Sequence, residues 1–254
     1  MAGPSFDLSG KVALVTGGGT GLGKGIALGL AGAGAFTVVA GRRQAPLEAA
    51  VAETATVGGK GAWLTGDVSR VDEARRLVEG VRSRHGRLDI LVNGAGINRR
   101  GPMLDFSERD WDDVMATNLK GLFFCSQAGA RVMKDQGGGK IIHLASLTSK
   151  RGFPNVAPYG ASKAGVAQLT TSMAVEWAPY KITVNAIGPG WFRTEMTDAL
   201  FQNSEWAART LARHPLGRFG VPEYLAGAAV FLASPAADYV TGQIIYVDGG
   251  YLTL

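Results

Sequence analysis

A chain of 254 residues, 46% hydrophobic and 19% charged, has the composition of an ordinary globule and excludes a disordered chain; its length suits one α/β domain. No apolar run approaches the ~18 residues that span a bilayer, and the first ten residues, MAGPSFDLSG, lack the basic start and apolar core of a signal peptide. The net charge of +5 forms no basic block longer than two residues and no nucleic-acid motif accompanies it, so an anionic small ligand accounts for the excess.

Taken in order, KVALVT (11–16) is a short β-branched strand, followed at once by the turn GGGTGLG and an apolar-periodic helix over 22–33. FTVVA (36–40) is a second strand and 44–57 an alanine-rich helix. AWLTGDV (62–68) is a third strand ending at Asp67, followed by a helix over about 70–84. LDILVN (88–93) is a fourth strand, and one long helical region covers about 107–134. KIIHLAS (140–146) is a fifth strand ending on Ser146, and a weakly charged helix covers 157–178. KITVNAI (181–187) is a sixth strand, GPG a break, and 191–215 an irregular aromatic and basic segment. A helix at 222–233 and the strand QIIYVD (243–248) close the chain. Strand and helix alternate without a linker or internal repeat. The pattern predicts a single α/β domain over 1–254, a doubly wound Rossmann-type fold with a parallel seven-stranded sheet covered by helices on both faces. Residues 1–9 form an N-terminal tail in this reading.

Two stretches carry chemistry. Thr16–Gly23 reads TGGGTGLG, with glycines spaced Gly17-x-x-x-Gly21-x-Gly23. Glycines let a backbone approach a pyrophosphate, whose charge then meets the positive end of the following helix. At the end of the second strand, where an NAD site usually has an acid for the ribose 2′-hydroxyl, stand Arg42 and Arg43. Guanidinium groups match a 2′-phosphate, so NADP is expected over NAD; the plain alternative is that both arginines solvate a strand end. The second stretch is SLTSKRGFPNVAPYGASK, with Ser146, then Tyr159, then Lys163. Tyr and Lys at i and i+4 share a helix face, and an ammonium beside a phenol is expected to lower the phenol's pKa and fit it for proton transfer.

Together these residues resemble the short-chain dehydrogenase/reductase family over about 10–250. The turn Thr16–Gly23, with Gly17, Thr20, Gly21, Leu22 and Gly23, is similar to the family's TGxxxGxG; Asp67-Val68 resembles its adenine-binding pair. Asn93-Gly94-Ala95-Gly96 is similar to NNAG, with Gly94 replacing the second asparagine. Asn118, Ser146, Tyr159 and Lys163 match the family's catalytic tetrad, Gly188-Pro189-Gly190 with Thr194 its PG…T segment, and YVDGG (246–250) its last strand. The resemblance implies an alcohol–ketone oxidoreductase in which Ser146 and Tyr159 hold the carbonyl oxygen and Tyr159 moves the proton. Lys163 tunes the tyrosine and holds the nicotinamide ribose, and Asn118 relays protons to solvent. It implies cofactor contacts at Gly17, Thr20, Gly21, Leu22, Gly23, Arg42, Arg43, Asp67, Val68, Asn93, Ala95, Gly96, Tyr159, Lys163, Pro189, Gly190, Phe192 and Thr194.

Within the family, INRRGPML (97–104), FSERDWDDVM (106–115) and RHPLGRFGVPEYL (213–225) most resemble the sugar-acid branch of gluconate, 2-deoxygluconate and 2-keto-3-deoxygluconate dehydrogenases. A carboxylate substrate needs a cation. The candidates are Arg99, Arg100, Arg151 and Arg193, with Asn98 and His214 as neutral partners. Trp191 and Phe192 fit a substrate lid over 191–215 or packing beneath the loop. Cys125, Met133, Trp111, Trp177 and Trp206 read as structural. His85 and His143 lack partners at metal spacing, so no metal is expected. The single cysteine fits a reducing cytoplasm, and the family resemblance implies a homotetramer without membrane or nucleic-acid partners. Alternatives are a 3-oxoacyl-carrier-protein reductase, for which Arg131 and Lys134 offer a thin basic patch, and a non-catalytic nucleotide-sensing protein.

Overall fold

The computed structural model describes residues 5–254. Residues 1–4 of the expected tail lie outside this range. Seven strands form one sheet, β1 (Val12–Thr16), β2 (Phe36–Gly41), β3 (Lys60–Thr65), β4 (Ile90–Asn93), β5 (Gly139–Leu144), β6 (Ile182–Pro189) and β7 (Ile244–Val247). Their spatial order is β3-β2-β1-β4-β5-β6-β7, and every neighbouring pair is parallel. The order reverses between β1 and β4, which opens a crevice at the carboxyl ends of the strands, where open α/β sheets take ligands.

The helices are α1 (Gly21–Gly32), α2 (Gln44–Thr54), α3 (Val71–His85), α4 (Glu108–Met115), α5 (Leu122–Gln136), α6 (Ala157–Trp177), α7 (Asp198–Phe201), α8 (Ser204–Leu211) and α9 (Tyr224–Ala233). Side chains alternate along the strands into two cores. Ala13, Val15, Ile90, Val92 and Ile142 pack with Ile26, Leu30, Leu47, Leu225 and Leu232 of α1, α2 and α9. Val12, Leu14, Leu91 and Ile141 pack on the other face with Leu77, Val81, Cys125, Met133 and Met173 of α3, α5 and α6. Strands buried on both faces explain why these runs read as uninterrupted apolar stretches in the sequence.

Three elements differ from expectation. The long helical region 107–134 is interrupted by a π-helical segment, Ala116–Gly121, that carries Asn118. Such a bulge redirects side chains that a regular helix would place elsewhere. Strand β3 stops at Thr65, so Asp67 stands in the following loop, where its Oδ1 accepts from Ser69 N at 3.0 Å. Within 191–215, α7 and α8 are regular helices, the second capped by Asn203 Oδ1, which accepts from Trp206 N at 2.9 Å. Cys125 and Met133 are core residues, whereas Trp111 is exposed.

Candidate active site

A cleft of about 490 Å³ runs along the carboxyl ends of β1 to β6. At one end lies the glycine turn. Gly17 has φ +70, and a Cβ there would meet the Ala95 backbone at 2.8 Å; a Cβ on Gly23 would meet the Gly17 carbonyl oxygen at 2.2 Å. The turn therefore lies flat against β4 and the start of α1, and Gly17, Thr20, Gly21, Leu22 and Gly23 all line the cleft. The first turn of α1 has no acidic residue, so its N–H groups face the cleft without a competing carboxylate.

Asp67, Val68, Ala95 and Gly96 form the walls beside this turn, and Arg42 and Arg43 line the mouth. Arg43 Nη2 lies 3.3 Å from Glu195 Oε2, with both side chains largely exposed. That pair bridges the end of β2 and the loop after β6. Pro189, Gly190, Phe192 and Thr194 form the opposite wall. Thr197, which no sequence motif marks, ties that loop together: its hydroxyl accepts from Thr194 N at 3.0 Å and donates to Phe192 O at 2.6 Å.

Ser146, Tyr159 and Lys163 meet at the other end of the cleft. Ser146 is not the last residue of β5 but the N-cap of a single turn, Leu147–Ser149. Its Oγ accepts from Thr148 N at 3.2 Å, and Ser149 Oγ accepts in return from Ser146 N at 3.3 Å. The Ser149 hydroxyl also donates to Lys163 O at 2.8 Å, which fastens this turn to α6. Tyr159 and Lys163 lie on successive turns of α6, with Lys163 Nζ 5.7 Å from the centre of the Tyr159 ring.

Lys163 is buried and donates from Nζ to Leu144 O at 2.6 Å. Burial lowers its pKa to about 8. Burial likewise raises that of Tyr159, against the opposing pull of the Ser146 hydroxyl and the Arg100 charge. This corrects the expectation of a phenol lowered by its lysine neighbour. Desolvation of the phenolate outweighs the nearby charges in the protein alone.

Asn118 is fully buried on the π-helical turn and does not line the cleft. Its Oδ1 accepts from Ile97 N at 2.8 Å, and its Nδ2 donates to Ile97 O at 2.9 Å and to Ser162 Oγ at 3.1 Å. It thereby holds the segment after Gly96 against α6. A Cβ on Gly96 would lie 3.4 Å from Asn118 Oδ1 and 3.7 Å from Lys163 Nζ, so these three positions converge.

Eight further expected contacts fall outside the cleft lining. Asn93 points away from the cleft because it ends β4 facing α5, where its Nδ2 donates to Ser126 Oγ at 2.9 Å. Trp191 is packed against Phe153, Trp206 and Tyr251, at ring distances of 5.7, 4.9 and 6.3 Å. Arg151 donates to Leu254 O at 3.3 Å and lies over the Phe153 and Tyr251 rings. Arg193 sits 5.1 Å above the Phe201 ring. Asn98 has a buried Oδ1 without a partner among the described residues. Among the other polar candidates, Arg99 pairs with Asp110 and Asp113, and buried His214 bonds Thr210 O through Nδ1 at 2.9 Å. Arg100 alone of the four arginines acts on Tyr159 through its charge.

A glycine cradle at a helix N-terminus, joined in one cleft to a Ser–Tyr–Lys constellation, defines a nucleotide-dependent oxidoreductase acting on a CH–OH group. The family described as "Enoyl-(Acyl carrier protein) reductase" matches residues 17–252. The chain is 47% identical to the 2-dehydro-3-deoxy-D-gluconate 5-dehydrogenase of Escherichia coli K12, over 98% of both chains. It is 43% identical to a 3-oxoacyl-[acyl-carrier-protein] reductase of Staphylococcus aureus, over 94% of this chain and 97% of the other. A gluconate 5-dehydrogenase from Burkholderia cenocepacia J2315, solved in complex with NADP and tartrate, superposes with a TM-score of 0.94 at 40% identity, over 98% of both chains. The protein belongs to the short-chain dehydrogenase/reductase family.

Proposed function

We propose that the protein is an NADP(H)-dependent oxidoreductase that interconverts the hydroxyl and keto forms of a sugar acid. The observation that carries this reading is the single cleft in which Arg42 and Arg43 stand at one end and Ser146, Tyr159 and Lys163 at the other. The glycine turn, the open α1 terminus and the two arginines fit the pyrophosphate and 2′-phosphate of NADP. Gly17, Thr20, Gly21, Leu22 and Gly23 would hold the pyrophosphate side, Asp67 and Val68 the adenine side, and Pro189, Gly190, Phe192 and Thr194 the nicotinamide side.

When bound, the cofactor supplies the hydride. The chain supplies orientation and the proton. Ser146 and Tyr159 bind the substrate oxygen, and Tyr159, kept protonated by its burial, is ready to donate its proton in the direction of reduction. Lys163, held by Leu144 O and charged below about pH 8, favours the phenolate that donation leaves behind. Asn118 keeps residue 97 and α6 at a fixed spacing around this group. Arg100, whose charge opposes the rise in the Tyr159 pKa although its side chain lies outside the cleft lining, is the proposed partner of a substrate carboxylate. The sugar-acid relatives support that choice of substrate.

The segment 191–215 is proposed as a substrate lid, with Trp191 and Arg193 acting through its packing. Homotetramer formation is supported by the shallow apolar groove of Met115, Leu119, Phe123, Phe124 and Leu169 between α4, α5 and α6. Light scattering that gave a stable monomer would refute it. No helix among the described residues is long and apolar enough to cross a membrane, and the single buried cysteine suits a cytoplasmic location.

Consumption of NADPH and NADH against keto-sugar acids, simple ketones and 3-oxoacyl thioesters tests the reading. Turnover is expected on the keto-sugar acids with NADPH. Turnover confined to acyl thioesters would favour the reductase of the fatty-acid type, and binding of nucleotide without any turnover would favour a sensing role.

A further inference from the structure

One buried ionisable side chain has no role in the chemistry just described. His143 lies in β5 with no solvent exposure, between α5 and α6. Its Nε2 is 3.1 Å from Ser126 Oγ, and its Nδ1 is 3.0 Å from Thr170 Oγ1. The Thr170 hydroxyl already donates to Val166 O at 2.8 Å, so its oxygen accepts and the ring proton sits on Nδ1. Nε2 then accepts from the Ser126 hydroxyl, whose own oxygen accepts from Asn93 Nδ2 at 2.9 Å. A directed run of hydrogen bonds thus passes from β4 through α5 and β5 into α6, and all four side chains are buried. Burial and the Lys163 charge hold the imidazole pKa at about 3, so the ring is neutral at any working pH.

Chain neighbours of this run line the site. Asn93 immediately precedes Gly94, Ala95 and Gly96, which line the cleft. His143 immediately precedes Leu144, whose carbonyl holds Lys163 Nζ. Thr170 follows Lys163 by two helical turns on the same face of α6. Strand β5 and helix α6 are therefore joined by adjacent rungs, Leu144 to Lys163 and His143 to Thr170. The first rung ends on a side chain that the reaction uses. The second is free of that duty and can hold the helix throughout.

We propose that His143 is a positioning residue: as a neutral imidazole donating from Nδ1 it pins α6 to the end of β5 and so sets Tyr159 and Lys163 against Ser146. This inference rests on the roles proposed above for Ser146, Tyr159 and Lys163. A side chain at 143 that filled the space without hydrogen bonds would leave the helix packed but free to shift along the sheet. Misplacement of reacting groups by an ångström is enough to cost roughly a hundredfold in rate.

The experiment compares Thr170→Val, His143→Leu and His143→Asn with the unaltered protein, by kcat and KM for the best keto substrate, NADPH Kd and thermal midpoint. Thr170→Val deletes one hydroxyl at constant shape, so it keeps the test alive if His143→Leu fails to fold. Thr170→Val and His143→Leu are expected to lower kcat by roughly tenfold to a hundredfold while NADPH Kd stays within about threefold. His143→Asn, whose amide can donate from near the position of Nδ1, is expected to recover most of kcat. Histidine-selective 15N spectra of the unaltered protein are expected to show His143 protonated on Nδ1. A folded Thr170→Val with full kcat would overturn the proposal, as would an Nε2-protonated ring. So would equal losses of kcat and NADPH affinity with no recovery by asparagine. Tyr159→Phe is assayed alongside: activity retained there would defeat the underlying reading, whereas an inactive Tyr159→Phe beside a fully active Thr170→Val would defeat this inference alone.

Discussion

Replacing Arg43 by alanine isolates the claim that the cleft mouth is built for a 2′-phosphate. A hydrogen bond between a guanidinium and a phosphate contributes about 1.5–3 kcal/mol. In the protein alone Arg43 is paired with Glu195 at 3.3 Å, with side chains 66% and 70% exposed. A pair that exposed is worth about 0–1 kcal/mol, and it must be given up when the phosphate arrives. The net contribution is then about 0.5–3 kcal/mol, a weakening of NADPH binding by roughly two- to 160-fold in Arg43→Ala. NADH lacks the phosphate and should bind the variant as it binds the parent. Fluorescence titration of both cofactors at one fixed ionic strength measures the two Kd values. Equal losses for NADPH and NADH would refute the reasoning, since they would place Arg43 on a feature common to both; no loss for either would remove it from the site.

Lys163→Met is expected to abolish turnover yet raise the thermal midpoint at pH 7. With a folded pKa of about 8 against the ordinary lysine value of 10.5, the buried ammonium costs stability below about pH 8, and this cost fades as pH rises towards 10.5. The penalty is about 3 kcal/mol, partly offset by the lost bond to Leu144 O of about 1 kcal/mol; a variant less stable at pH 7 would contradict it. Asn118→Ala leaves Ile97 N and O without their buried partner and should lose about 2–4 kcal/mol by denaturant melt. An unchanged midpoint would show that residue 97 is held by other contacts. Burial raises the Cys125 thiol to about 12, so a thiol reagent should leave it untouched in the folded protein and label it once unfolded.

The fold was legible because its central strands are buried on both faces. Val12–Thr16 and Ile90–Asn93 read as apolar runs for the same reason that they sit between two helical layers. The glycine turn was legible for a steric reason, since Gly17 and Gly23 allow no Cβ. Less legible was anything set by contacts distant in sequence. The π-helical turn carries Asn118, whose bonds to Ile97 no local periodicity announces. Arg151 and Arg193 read as carboxylate candidates by residue type, but aromatic rings in their own neighbourhood hold them. Thr197 and Glu195 shape the cleft mouth with no motif to mark them. The pKa of Tyr159 also depends on burial, which the i, i+4 spacing to Lys163 does not report.

The proton-transfer role of Tyr159 is tested most directly by Tyr159→Phe, with kcat and NADPH Kd measured on the same preparation. Removal of the one hydroxyl should lower kcat by ~10²–10⁴-fold while the cofactor binds as before. A kcat within about tenfold of the parent would contradict the account, as would a loss of activity matched by a loss of NADPH binding.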